Sequence, residues 1–336
     1  MSIATAPTED KAPTVARRQR FDLQKLLAFG ALIVLFGFFS VSSHAFLSWN
    51  NVTGILLSAS VVGVMALGAT FVIATGGIDL SVGTGMTLAA VMTAVFLNPD
   101  YLGLPLVLGV VLGIAFGSLI GLVNGVNVAV LRIPPFIATL AMMMAASGLA
   151  LVISDTHPIY FSDVPGFTSI SLGSIIPGAN LPNAVLIFFA AVAVAGVLLS
   201  KGLIGRYALS IGSNEEATQL SGVDTRRWTI AIYTLAGTFT GLSGVLIAAR
   251  LNSAQPALGQ GYELEAIAAV VIGGTSLSGG RASILGTMIG ALLMAVLTNG
   301  LQIMAIPQEW QRVAVGVVIL VAVFADNVRR RREAGH

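Results

Sequence analysis

An aspartate ends a long apolar run in the stretch VIATGGIDLS, residues 72–81. Its neighbours Gly76 and Gly77 permit a sharp change of chain direction, and Ser81 adds a hydroxyl. Because a charged group in hydrocarbon is costly and usually functional, Asp79 is a candidate for a translocation path or its gate. A helix cap is the alternative: Asp79 or Ser81 would accept backbone N–H groups at the start of a helix over 81–97. The Gly-Gly-x-Asp-x-Ser pattern favours the cap.

A second stretch resembles the first. GGTSLSGG at 273–280, which begins with Gly273 and Gly274, shares five of eight residues with GGIDLSVG at 76–83. Transporters are often built from repeats whose glycine-interrupted segments meet at the translocation path. Chance similarity in a glycine-rich chain is the other explanation, and both stay open. Asp79 aligns with Ser276, so the carboxylate is not part of the shared pattern.

The segment from 249 to 274 combines polar residues with an apolar run. Its side chains could donate and accept hydrogen bonds to a hydroxylated solute, or could form a solvated external loop. The candidates for the translocation path are Asn252, Gln255, Tyr262 and Glu263.

Signatures of catalysis are missing from the chain. The sequence has no cysteine and three histidines, which are not at metal-ligand spacing. It contains no H-E-x-x-H, G-x-S-x-G or G-x-x-x-x-G-K-[ST] motif. We therefore expect no metal, no cofactor and no ATP hydrolysis by this chain itself.

A short polar segment at 205–228 predicts a capped helix. Ser213 and Glu216 have the spacing of a capping box, and Gly222 can take the left-handed position after the last turn. The resulting helix, over 214–221, is too short to be stable alone in water. It must therefore pack against its own membrane domain or against a partner. Its apolar positions are Ala217 and Leu220.

Composition places these elements in a membrane. Hydrophobic residues make up 56% of the 336 residues and charged residues 10%, whereas soluble domains have about 25% charged residues. We predict an all-α polytopic membrane protein of about ten transmembrane helices, with eight possible, some of them short or broken at Gly-Gly turns. The segment at 263–274 could be a re-entrant half-helix. The predicted segments are 26–44, 53–74, 81–97, 105–131, 135–153, 183–200, 228–249, 263–274, 282–304 and 311–326.

Basic residues predict the orientation. Lysines and arginines precede the first segment and follow the last, so both termini should be cytoplasmic. The connection from 154 to 183 has no Lys or Arg, as expected outside. We predict a disordered cytoplasmic tail at 1–25, a membrane domain at 26–327 and a basic cytoplasmic tail at 328–336.

Four stretches together resemble one known family: GGIDLSVG, GRYALSIGSNEEATQLSGV, NSAQPALGQGYELEAIAAVVIGGTSLSGG and GALLMAVLTNGLQIM. They look like the permease subunit of bacterial ribose-type ABC importers, over about 26–327. The resemblance implies an inner-membrane assembly of two permease copies, a cytoplasmic ABC ATPase and an extracytoplasmic sugar-binding protein, without nucleic acid. The implied cargo is a monosaccharide, with ribose the best single guess.

The same resemblance gives the polar segment a role. Glu216-Ala217-Thr218 followed by Gly222 is similar to the EAA-type loop that such permeases insert into the ATPase, with Thr where Ala is usual. The implied coupling loop is 201–227. Its coupling residues are Ser213, Asn214, Glu215, Glu216, Ala217, Leu220 and Gly222.

Two other functions remain alternatives. A secondary transporter could use Asp79 as a proton or sodium site. An intramembrane enzyme is disfavoured, because no pair of catalytic groups lies at comparable depth.

Overall fold

The computed structural model describes residues 15–176, 178 and 180–334, with side chains described between 26 and 324. This part of the chain is mostly helical and its two strands have two residues each, so the predicted all-α class is confirmed. Its helices are α1 Val15–Ser42, α2 Trp49–Ala74, α3 Val82–Leu97, α4 Leu106–Ala129, α5 Pro135–Ile153, α6 Ser169–Leu172, α7 Asn183–Ser200, α8 Leu203–Ser213, α9 Glu215–Leu220, α10 Thr225–Leu251, α11 Tyr262–Ile272, α12 Ile284–Ile303 and α13 Gln308–Ala334. Its strands are β1 Ile159–Tyr160 and β2 Ser253–Ala254.

Each of the ten predicted segments coincides with one helix. The ends differ at both tails. Helix α1 begins at Val15, so part of the predicted tail at 1–25 is helical, and residues 1–14 lie outside the described residues. Helix α13 continues to Ala334, through most of the predicted tail at 328–336.

Six helices are long and apolar enough to cross a membrane by length and composition: α2, α4, α5, α7, α10 and α12. Helix α3 and residues Leu26–Ser42 of α1 are shorter apolar helices. With 11 residues, α11 is about 16 Å long at 1.5 Å per residue, half of a hydrocarbon core of about 30 Å. Helix α11 is therefore a half-helix by length, and ten crossings stays a prediction.

Prolines and polar caps set the helix ends. Helices α4, α5 and α7 each follow a proline, which cannot continue a preceding helix and fits the first helical turn. The Asp224 carboxylate accepts the N–H of Arg227 at the start of α10. At the other end of α10, Asn252 takes a left-handed conformation, which ends the helix.

The centre of the fold is α2, which is buried along most of its length and packs against α7, α10, α11 and α12. Helix α4 packs on α10 through glycines spaced four residues apart, which lets the two backbones touch. A Cβ on Gly117 would lie 2.5 Å from the Cα of Gly241, and one on Gly125 would lie 2.8 Å from the Cα of Ile230. These two helices form the most extensive helix pair of the fold.

The two predicted external segments meet in a small antiparallel sheet. Ile159 of β1 pairs with Ala254 of β2, and Tyr160 pairs with Ser253. The Asn98 side chain at the end of α3 donates to the Tyr160 carbonyl at 3.0 Å. The loop at 252–261 is thereby fixed to the connection between α5 and α7.

Candidate functional site

The polar segment forms two consecutive helices, α8 and α9. The capping box predicted at Ser213 is wrong, because α8 continues to that residue. The chain then turns at Asn214, which is extended (φ −163°, ψ 104°), and its side chain accepts the N–H of Ala217 at 2.9 Å. Asn214 is therefore the cap. Gly222 has a φ of +84°, as predicted for the residue after the last turn.

Helix α9 is held to the membrane domain on one side and exposed on the other. The Glu215 carboxylate accepts hydrogen bonds from Gln219 and from Thr225 of α10, at 3.2 and 3.1 Å. Thr218 is the one buried residue of the helix. Leu220 is 84% exposed, and Glu216 and Ala217 are also exposed. Leu220 is therefore an apolar side chain on the face of α9 that the membrane domain leaves exposed.

Three chain segments meet just before α9, and we call their meeting point the glycine junction: residues 74–76, 212–213 and 278–280. The N–H of Gly280 donates to the carbonyl of Ala74 at 2.9 Å. A Cβ on Gly212, at the end of α8, would lie 2.5 Å from the nitrogen of Gly280. The end of α8 therefore contacts the end of α2 and the backbone before α12 at a single point.

A cavity of about 890 Å³ opens beside this junction. It is bounded by Gly76 and Gly77, by Glu215 and Glu216 of α9, and by the loop between α4 and α5. Its wall carries acidic and basic side chains together, including Arg132. The cavity thus combines charged side chains with the backbone of the first glycine pair.

Asp79 lies in the link between α2 and α3 and is 5% exposed. Its Oδ1 accepts the backbone N–H of Ser81 at 2.8 Å and the Ser81 hydroxyl at 2.6 Å. The Asn124 amide of α4 donates to the same hydroxyl oxygen at 2.8 Å. The link is therefore tied to α4 through a chain of side-chain hydrogen bonds.

The cap prediction holds in a restricted form. Ser81 is the N-cap residue of α3, but its side chain makes no capping bond. Asp79 accepts a backbone N–H, that of Ser81. Asp79 therefore closes a local turn before the helix rather than capping an N–H inside it.

The predicted path residues near β2 lie in three different places. Asn252 ends α10, and the Gln255 amide donates to the Ser253 hydroxyl at 3.0 Å. Both carboxylate oxygens of Glu263 accept the N–H of Gly261 at 3.1 Å. The buried Glu263 side chain therefore bonds to the backbone just before its own helix. Tyr262 instead borders a separate cavity with Arg250, Glu265 and residues of α2 and α12.

The second pair of glycines ends α11. Gly273 has a helical φ of −65° and packs against the backbone of Gly286 in α12. Gly274 has a φ of +91°. The structure thus brings Gly76 and the loop after Gly274 together at the glycine junction, whereas Tyr262 and Glu263 lie at the other end of α11.

Sequence reasoning missed Asn124, Tyr233 and Gly212. Asn124 is one of three polar residues in the largely apolar, glycine-rich helix α4, with Ser118 and Asn127, and an amide within such a helix was a usable signal. The Tyr233 hydroxyl and the Asn124 Oδ1 are buried and make no hydrogen bond among the described residues. Gly212 carries no signal of its own, since its importance comes from contacts distant in sequence.

Comparison with known proteins places the chain in a family. Residues 51–323 match the family model described as "Branched-chain amino acid transport system / permease component". The chain belongs to this permease family. It is a membrane-spanning transport component rather than an enzyme.

Several curated relatives align with nearly the whole permease. The ribose import permease protein RbsC of Haemophilus influenzae is 40% identical over 303 residues, 89% of this chain and 92% of the relative. RbsC of Bacillus subtilis is 40% identical over 321 residues, 95% of this chain and 98% of the relative. The L-arabinose ABC transporter permease protein AraH of Azospirillum brasilense is 34% identical over 331 residues, 98% and 96% of the two chains. No solved structure matches the chain significantly.

Proposed function

We propose that this permease is the membrane subunit of an ATP-driven importer of a monosaccharide, with ribose the best single candidate. Relatives named as ribose and L-arabinose permeases cover nearly the whole chain and support the sugar class. The exposed face of α9, which is anchored directly beside the glycine junction, is the structural observation that carries the proposal.

The assembly that we propose has two copies of this chain, two cytoplasmic ABC ATPase domains and an extracytoplasmic sugar-binding protein, in the bacterial inner membrane with both termini cytoplasmic. Helix α9 and the residues around it, Ser213 to Gly222, dock on the ATPase. The exposed Leu220 then inserts into an apolar hollow of the partner, and Glu216 lies at the edge of that contact.

Closure of the ATPase domains moves α9, and the movement passes along α8 to the glycine junction. Because α8 contacts α2 and α10, a small displacement there shifts α10 and the link after α2. Both line the cavity of about 890 Å³ beside the junction, which we call the cytoplasmic cavity. Backbone contacts without side chains transmit such a displacement with little loss, since no flexible side chain lies between the segments.

Reconstitution tests the function directly. Vesicles that contain the permease, its cognate ATPase and its binding protein should take up radiolabelled ribose with ATP inside, and vanadate should stop the uptake. Vesicles without the ATPase should take up none. ATP-independent uptake of the sugar by the permease alone would overturn the proposal.

A second candidate is an ion-coupled secondary transporter centred on Asp79. Its support is the buried carboxylate of Asp79 and two unpartnered oxygens nearby in space, on Asn124, which bonds to Ser81, and on Tyr233, whose hydroxyl lies beside Gly77. Carboxylate, amide and hydroxyl oxygens are ligands that hard cations accept. This candidate predicts uptake by the chain alone that an ionophore abolishes. If the protein is instead part of an ATP-driven importer, vanadate should stop the uptake and the same ionophore should leave it unchanged.

A further inference from the structure

A second polar cavity lies far from the glycine junction. It has a volume of about 230 Å³ and is enclosed by α2, the end of α10, the start of α11 and the second half of α12. Val61 on α2 and Thr298 on α12 lie in its wall. Each is about 20 Å along its helix from the end that adjoins the junction, at 1.5 Å per residue. In a hydrocarbon core of about 30 Å, the cavity is in the half of the membrane away from the coupling helix.

The wall of this cavity carries one basic and one acidic side chain. Arg250 comes from the last turn of α10, and Glu265 comes from the first turn of α11. The two groups form no ion pair with each other, and among the described residues neither makes a side-chain hydrogen bond. Ionisable groups at membrane depth are expensive and are retained for function. An unpaired arginine and glutamate around one empty volume therefore point to a ligand.

The neutral polar groups of the wall extend the same pattern. Tyr262 contributes a half-buried phenol and Gln302 an exposed amide, and neither side chain has a hydrogen-bond partner within the described part of the chain. The Asn299 amide donates to Asn51 at 2.9 Å, but its buried Oδ1 accepts nothing. The missing partner of the Asn299 Oδ1 needs an explanation, because buried polar atoms without partners are rare in folded proteins.

We propose that this cavity is a sugar-binding site of the permease itself, which holds one monosaccharide before it reaches the cytoplasmic cavity. The inference rests on the proposed function. Arg250 donates to ring and hydroxyl oxygens, Glu265 accepts from a pair of hydroxyls, and the Tyr262 ring covers one face of the sugar.

Charge and size both limit the ligand. One positive and one negative side chain give the site no net charge, which suits a neutral polyol. The volume of 230 Å³ lies just below the range of about 300–1,000 Å³ typical of drug-sized ligand sites. It therefore admits a single sugar ring and excludes a disaccharide.

The absence of cysteine from this chain makes the test direct, since Thr298→Cys would give the permease a single thiol at the cavity wall. The purified permease–ATPase complex is treated with an uncharged maleimide in rising concentrations of D-ribose, D-xylose, sucrose or L-leucine. D-ribose or D-xylose should slow labelling of Thr298→Cys, and sucrose and leucine should not. Ser42→Cys, at the exposed end of α1, is the control whose labelling no sugar should change.

A second substitution tests the chemistry of the site. Glu265→Gln in the Thr298→Cys background should raise the half-protecting sugar concentration about tenfold, because hydrogen bonds to a charged acceptor are stronger than those to a neutral one. Tyr262→Phe, which removes only the hydroxyl, should raise it severalfold and serves if Glu265→Gln does not fold.

Four outcomes would overturn the site: labelling that no sugar slows, no labelling at all, protection by leucine instead of sugar, or protection unchanged in both variants. If ATP-dependent sugar uptake persists in the same preparation, such a result removes the cavity assignment and leaves the importer function intact. Loss of ATP-dependent uptake in the unmodified complex would instead remove the function.

Discussion

Two helix breaks with similar sequences meet at the glycine junction, and their structures are less alike than their sequences. The first break links α2 to α3, and the second links α11 to α12. Gly76 and Gly274 are both left-handed, with φ of +84° and +91°. In each break the N–H of that glycine and of the next residue return to carbonyls three and five positions earlier. Gly76 is therefore the structural equivalent of Gly274, although the letters align it with Gly273.

Beyond the left-handed glycine the two breaks diverge. The first is short and is tied to α4 through Asp79, Ser81 and Asn124. The second is a longer loop closed on itself, where the Ser283 N–H donates to the Thr275 hydroxyl at 3.2 Å. The common element is a left-handed glycine that ends a helix beside the end of α8. The Asp79 carboxylate belongs to the first break only, so a transport mechanism common to both breaks cannot depend on it.

The largest expected effect comes from separating both breaks from the coupling segment. Gly212→Val places side-chain atoms against the backbone of Gly280 and Ala74, and such overpacking costs about 1–3 kcal/mol. We expect ATP-driven uptake to fall at least tenfold, about what 1.4 kcal/mol corresponds to. Gly196→Val, on α7, is the control, since a Cβ there meets nothing within 4 Å. Equal uptake by the two variants would separate the junction from transport.

The next effect distinguishes the first break from the second. Asp79→Ala leaves the buried N–H and hydroxyl of Ser81 without their acceptor, which costs about 1–3 kcal/mol. Asp79→Asn keeps an acceptor oxygen, so we expect stability and uptake to stay within about threefold of the original, under 1 kcal/mol. Unfolding in mixed SDS micelles measures the stability of each variant, and sugar uptake into vesicles measures its transport. Abolished uptake in a stable Asp79→Asn protein would favour a charge-dependent gate.

The left-handed glycines test which residues are equivalent. Gly76→Ala and Gly274→Ala should each destabilise by about 1–2 kcal/mol, the cost of a side chain in the left-handed region, and Asn at either position should cost less. Gly273→Asn should show no such relief over Gly273→Ala, because Gly273 has an ordinary helical φ and packs against the backbone of Gly286. If Asn destabilised less than Ala at Gly273 but not at Gly274, Gly76 would correspond to Gly273, as in the sequence alignment.

The smallest effect is expected at Ser276, which is opposite Asp79 only when the sequences of the two breaks are aligned. Ser276→Ala removes a hydroxyl pair with Ser278 at 3.0 Å, worth about 0.5–1.5 kcal/mol. Uptake should be unaffected, in contrast to Asp79→Ala. A loss of uptake as large as that of Asp79→Ala would mean that the two positions serve one function after all.

Most helices of the fold, and some of their ends, could be predicted from the sequence. Apolar length predicted all ten main helices, because a membrane fixes the length of each element. The left-handed Gly222 followed from local backbone chemistry. The cap was misplaced by one residue at Ser213, since α8 lies directly before α9 and leaves Asn214 as the turning residue.

What the sequence could not supply depends on contacts between distant segments. The glycine junction joins residues near 76, 212 and 280, and the local sequence of each stretch does not predict which other segments it contacts. Likewise, Arg250 and Glu265 were visible as charges in apolar surroundings, but only the packing of α10, α11 and α12 places them around one cavity. Local pattern predicts elements, whereas sites arise from how the elements pack.

The central claim is that α9 couples ATP hydrolysis to transport through its exposed face. Its most direct test is the ratio of sugar taken up to ATP hydrolysed in reconstituted vesicles for Glu216→Lys, with Ser200→Lys at the exposed end of α7 as the matched control. We predict that Glu216→Lys folds normally and lowers the ratio at least tenfold, about 1.4 kcal/mol of coupling, whereas Ser200→Lys leaves it unchanged. An unchanged ratio in Glu216→Lys would contradict the account.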